Sequence, residues 1–206
     1  LNAAEMQRAI PAVLHLLDDL RNADISASTG FGPIEMDGNA VFERWPVYLA
    51  DITSNREDDR MFGWPEKLAN SSLGIDRFNR IVDRMNELSV FAPQERYLIH
   101  SDLLHFNLLM ENDMVSGLID WGCAKYGDFL YDLAWFTFWA PWHENMQGID
   151  WRGLAKEHYA STGLDVPHFN QRLKACELHL GLDSVIYCAH TNRWEQAEKV
   201  LRQMEE

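Results

Sequence analysis

Cysteine is scarce in this chain. Cys123, Cys176 and Cys188 are too few and too scattered for a disulfide framework or a zinc site, so they read as core thiols in a reducing compartment. Basic residues are also few, with 18 Lys plus Arg against 32 Asp plus Glu and a net charge of −14. A surface of that sign repels nucleic acid and anionic lipid and attracts polycations, although acidity also serves plain solubility. Long apolar runs are missing too. The most apolar stretch, Leu133 to Trp142, is far short of the ~20 residues that span a bilayer, and no charged-apolar-small leader opens the chain. The expectation is a cytoplasmic protein with neither membrane nor nucleic acid as partner.

The 206 residues are 47% hydrophobic, enough to bury a sizeable core in one domain. The chain opens at Leu1 rather than Met, which suggests a piece of a longer protein. Apolar residues at helical spacing predict helices over Pro11 to Leu20, Val41 to Ile52, Ile75 to Leu88 and Leu130 to Trp139. One or two more fall within His168 to His190, broken near Gly181, and a last one starts at Trp194 and frays at Glu205 and Glu206. Ala23 to Asn39 has loop composition and either borders a cleft or simply connects, and the charge run Asn55 to Arg60 reads as a solvated turn. Leu108 to Met110 and Val115 to Ile119, joined through Glu111-Asn-Asp113, predict a β-hairpin. The fold class expected is mainly α with a small β-hairpin.

The most informative stretch runs from Tyr97 to Trp142. His100, Asp102 and Asn107 satisfy H-x-D-x-x-x-x-N, the kinase catalytic-loop pattern in which the Asp accepts the proton of the acceptor hydroxyl and the Asn holds a metal ion. The predicted hairpin turns the chain back, so Asp120, thirteen positions after Asn107, returns beside it. Two oxygen donors there suit Mg²⁺, and Asp120-Trp121-Gly122 has the form of the Asp-aromatic-Gly metal motif. A capping Asp in a turn would explain Asp102 alone but would not predict Asn107 and Asp120. His100 reads as a packed residue fixing the loop, and His105 and His143 as surface or core histidines rather than ligands.

Leu98 through Asn107, with Leu118-Ile-Asp120-Trp121 and Tyr126-Gly-Asp128-x-x-Tyr131-Asp132-Leu-Ala134, resembles the aminoglycoside phosphotransferase family. Phe138-Trp139-x-Pro141-Trp142 and Gly30-Phe-Gly-Pro33 resemble most the members that act on hygromycin B. The resemblance implies the helical C-terminal lobe of a protein-kinase-like fold, transferring phosphate from ATP with Mg²⁺ to a hydroxyl of a cationic aminoglycoside. It also implies a preceding nucleotide-binding lobe, which this sequence does not supply. Gly30, Gly32 and Gly38 do not form G-x-G-x-x-G, and no V-A-x-K strand occurs.

By the same resemblance, Asp132 accepts hydrogen bonds from the catalytic-loop backbone, as a lone charge in an apolar helix must find partners. Asp128 is a helix N-cap or lines the pocket. Glu144, Asp150 and Glu157 could meet substrate ammonium groups, and each could equally be an ordinary surface acid. Related acceptors are choline, homoserine, methylthioribose and fructosamine. A different class of reading is a lobe without catalysis of its own.

Overall fold

The computed structural model describes residues 1–104 and 106–206 of the chain. His105 therefore lies outside the described residues. Helix α1 runs Ala3–Arg21 and begins well before the expected start at Pro11. The Asn2 side chain accepts the Glu5 amide at 2.9 Å while the Glu5 carboxylate accepts the Asn2 amide at 2.8 Å, and this reciprocal cap satisfies the first-turn donors. Pro11 sits inside the helix on its exposed side, where a carbonyl left without its backbone donor can turn to solvent.

Helices α2 (Trp45–Ala50) and α3 (Trp64–Ala69) both carry proline in the first turn. The helix expected from Val41 is thus shorter, because Phe42 pairs instead with Phe31 in a β-bridge. Helix α4 (Asp76–Ser89) buries Phe78, Ile81, Val82, Met85 and Leu88 on one face, as its spacing predicts. Helix α5 (Leu130–Trp139) is apolar nearly all round and deeply buried, and α6 (Trp151–Ser161) follows.

Helix α7 (Phe169–Thr191) is continuous, which corrects the expected break near Gly181. A Cβ at Gly181 would collide with the Met204 sulfur and stand 2.9 Å from the Phe138 ring. That glycine serves close approach rather than helix termination. Helix α8 (Trp194–Glu205) does not fray at Glu205, whose carboxylate pairs with Arg77 of α4 at 2.7 Å. Around α7 pack α3, α4, α5 and α8, forming the core. None of the described helices is long and apolar enough to cross a membrane.

Two small sheets complete the architecture. Strands β3 (Leu108–Glu111) and β4 (Met114–Leu118) form the expected hairpin, with Asn112 and Asp113 at φ 52° and 59° in a tight turn. Strands β1 (Gly32–Pro33), β2 (Tyr97–Ile99) and β5 (Lys125–Gly127) form an antiparallel sheet in the order β1-β5-β2. Segments of two or three residues carry no alternation that a sequence could reveal. Gly127 lies flat against Trp45, where a Cβ would run into the indole.

Candidate active site

The residues of interest hang from the C-terminal end of β2. Ile99 is fully buried, and the chain then turns through Ser101 in the left-handed region at φ 64° before reaching Asp102. This turn leaves two backbone N–H groups pointing into the core. Both are answered by Asp132 in the first turn of α5, whose Oδ2 accepts from His100 N and Oδ1 from Ser101 N, each at 2.8 Å. Asp132 is 2% exposed. Burial pushes its pKa up to about 6, while the two N–H donors, His100 and Lys125 hold it down.

His100, fully buried, joins the two halves of the site. Its Nε2 lies 2.8 Å from the Ile119 carbonyl oxygen, and its ring meets the Trp121 indole edge-on with centroids 4.8 Å apart. The backbone of Ile119 in turn donates to the Asn107 carbonyl at 3.2 Å. Asp120 is therefore fastened next to Asn107 through its neighbour in the chain. The Asn107 amide nitrogen donates to the Asp102 backbone carbonyl at 2.7 Å and to its carboxylate at 3.1 Å. Burial raises the Asp102 pKa, against the pull of Asn107 and His100, while the Asp120 charge nearby adds to the rise. A carboxylate so raised is a better proton acceptor near neutrality.

The donor set fits a hard divalent cation. Asp120 is exposed, adopts φ 62°, and its side chain has no hydrogen-bond partner among the described residues. A non-glycine residue held in that conformation carries strain of about 1–3 kcal/mol, which is typically retained where function requires it. With the Asn107 nitrogen turned onto Asp102, its amide oxygen is the atom left for a ligand. One carboxylate and one amide oxygen, with water and phosphate oxygens, match the needs of Mg²⁺.

A cavity of about 330 Å³ opens beside this loop. Its wall includes Tyr48, Lys125, Tyr131, His179 and Asp183. Lys125 connects it to the loop by donating to the Ser101 hydroxyl. Asp183 is surrounded by protein yet open on the cavity side, and burial raises its pKa while Lys125 lowers it. Tyr131 O–H and His179 Nδ1 lie 2.8 Å apart, and burial drops the His179 pKa to about 3, so this imidazole is neutral.

Known proteins share this arrangement of helices and loops. The model of the phosphotransferase enzyme family matches residues 44–165. The chain belongs to that family. The hygromycin-B 4-O-kinase of Escherichia coli is 27% identical over 184 residues, covering 88% of this chain and 49% of that protein. The apo crystal structure of a thermostable mutant of aminoglycoside phosphotransferase APH(4)-Ia superposes with a TM-score of 0.80 at 22% identity, over 100% of this chain and 66% of that one. A ternary complex of a thermostable mutant of the same enzyme with AMP-PNP and hygromycin B gives 0.79 at 23%, over 100% and 65%. The chain thus spans about half the length of the curated relative and has the helical architecture of these phosphotransferases, a protein-kinase-like fold.

Within this family member, some sequence-predicted site residues fall together and others do not. Asp102, Asn107, Asp120, His100 and Asp132 are the connected set just described. Asp128 is 1% exposed, and both its oxygens face Arg172 at 2.7 and 2.9 Å while Oδ1 also accepts the Leu130 amide. It stands one residue before the N-cap position of α5, which is Phe129, and with both oxygens occupied in the core it has nothing left for a substrate. Asp150 is the N-cap of α6, accepting the Gly153 amide at 2.9 Å, and lines a separate cavity with Thr137 and Gln147. Glu144 and Glu157 are exposed and away from the cavity wall.

Sequence reasoning missed Lys125, Asp183, Tyr48 and His179. A signal existed: Glu177, His179 and Asp183 are titratable residues within the mostly apolar stretch Leu173 to Ile186 of α7. The charge run read as a solvated turn also supplies Arg56, Asp59 and Arg60 to the cavity rim.

Proposed function

We propose that this chain is the catalytic and acceptor-binding lobe of an ATP-dependent O-phosphotransferase acting on a cationic aminoglycoside such as hygromycin B. The observation that carries this reading is the closed circuit from Asp102 through the Asn107 side chain and backbone to Ile119 and Asp120, pinned by His100. In this reading Asp102 orients the acceptor hydroxyl and takes its proton. Asn107 and Asp120 hold Mg²⁺, which when bound neutralises charge on the transferred phosphoryl group. Asp132 acts one step back by fixing the backbone from which Asp102 projects. The names of the relatives and the net charge of −14 support the acceptor class.

Nucleotide affinity is proposed to come mainly from a lobe outside these 206 residues, because the sequence holds neither the glycine-rich loop nor the V-A-x-K strand. Calorimetry with Mg·ATP on this chain tests that point, and sub-millimolar affinity would count against it. Transfer of labelled γ-phosphate to hygromycin B by protein carrying both lobes tests the activity, with Asp102→Asn as control. Lys125 and Asp183 on one cavity wall favour a second reading, an acceptor bearing one positive and one negative group, as homoserine does. An acceptor panel including homoserine and choline separates the two.

A further inference from the structure

Within the same lobe, α1 and α6 bring together three side chains to which the proposed reaction gives no task. His15 and Asp18 stand one helical turn apart on α1, hence on one face, and His158 comes from the last turn of α6. One ligand atom from each lies within 4.8 Å of the other two, the only such cluster of three His, Cys, Asp or Glu residues among the described residues. His158 Nε2 is 2.7 Å from Asp18 Oδ2, and the His15 ring stands edge-on to the His158 ring with centroids 5.3 Å apart. Arg21 holds the other Asp18 oxygen at 3.4 Å.

We propose that His15, Asp18 and His158 form a binding site for a first-row transition metal such as Zn²⁺, clamping α1 to α6. Two imidazoles and one carboxylate suit such a metal and not Mg²⁺ or Ca²⁺, which take all-oxygen shells. Tetrahedral ligands at ~2.0–2.1 Å from zinc stand about 3.3 Å apart. With ligand atoms up to 4.8 Å apart, His15, which is exposed and makes no hydrogen bond, must close by as much as about 1.5 Å, while the 2.7 Å His158–Asp18 pair opens by about 0.6 Å. Arg21 plays the part of the outer partner that orients a ligating carboxylate.

The test is a Co²⁺ titration of the purified 206-residue chain in excess Mg²⁺, read by visible ligand-field absorption and followed by Zn²⁺ displacement. The expected result is one saturable site, displaced by Zn²⁺, with a rise in the melting temperature on zinc addition. His15→Gln and His158→Gln should each weaken uptake at least roughly ten-fold and abolish the zinc-induced shift. His15→Gln alone suffices if the second variant misfolds, since the His15 ring is exposed and makes no hydrogen bond. The absence of a saturable site, a thiolate charge-transfer band pointing to Cys123, or unchanged affinity in His15→Gln overturns the proposal.

Discussion

The helical core and the loop pair carrying Asp102 and Asp120 are built on opposite terms. In the core, α4, α5, α7 and α8 bury large side chains such as Phe78, Phe136, Leu173 and Leu182 at or near zero exposure. In the loops, Ser101 and Asp120 adopt left-handed backbone, Asp120 faces solvent unpartnered, and Trp121 and Ile119 are exposed. Stability comes from the former, while the latter is held in a conformation it would not adopt alone. Asp132 joins them, because it belongs to the buried helix yet hydrogen-bonds the loop. The lesson is that the strain of the site is supported from the core through very few atoms.

That division can be broken from either side. On the loop side, Asp102→Asn should lower kcat by ~10²- to 10⁴-fold and leave the unfolding midpoint almost unchanged, as measured by turnover and urea titration. On the core side, Phe136→Ala should cost roughly 3–5 kcal/mol of stability with the surviving folded fraction retaining its turnover per site. Equal loss of stability in both variants would erase the distinction between the regions.

Asp132→Asn should strike both regions together. The amide offers one acceptor where two are needed and turns an N–H donor against a loop N–H, so a loss of about 1–3 kcal/mol should accompany a fall in kcat. The pH dependence sharpens the same point. The folded pKa of about 6 lies above the ordinary carboxylate value, so the folded state binds this proton more tightly than the unfolded chain. The contribution of Asp132 to stability therefore rises as pH falls from about 6 toward the ordinary carboxylate range, while activity falls because the protonated carboxyl no longer accepts from both amides. In Asp132→Asn the stability slope over that window should flatten. The smallest effect belongs to the exposed pair Arg84 and Glu87, 2.8 Å apart, where Glu87→Ala should change stability by under about 0.5 kcal/mol.

The same contrast explains what could be read from the chain alone. Helices α4, α5 and α8 announce themselves by apolar spacing, and the hairpin by its polar turn. The polar spacing of Asp102, Asn107 and Asp120 is equally legible, because the proposed phosphoryl transfer would itself require those residue types at that interval. The start of α1 is hidden by Pro11, since a proline in a first turn and one facing solvent mid-helix look alike in sequence. Gly181 misleads for a similar reason, as a glycine needed for close packing against Met204 is indistinguishable from one that ends a helix. Asp128 is a plausible substrate contact only until Arg172 is seen to occupy both its oxygens. Lys125 and Asp183 lie 58 positions apart and meet only through the tertiary fold.

The central claim is that Asn107 and Asp120 share one hard cation beside Asp102. Anomalous diffraction from crystals soaked in Mn²⁺ and AMP-PNP tests it most directly, Mn²⁺ standing in for Mg²⁺. The account predicts a peak within coordination distance of the Asn107 amide oxygen and an Asp120 carboxylate oxygen, lost in Asp120→Asn. A peak elsewhere with these two side chains pointing apart, or one that survives the substitution unchanged, would contradict it.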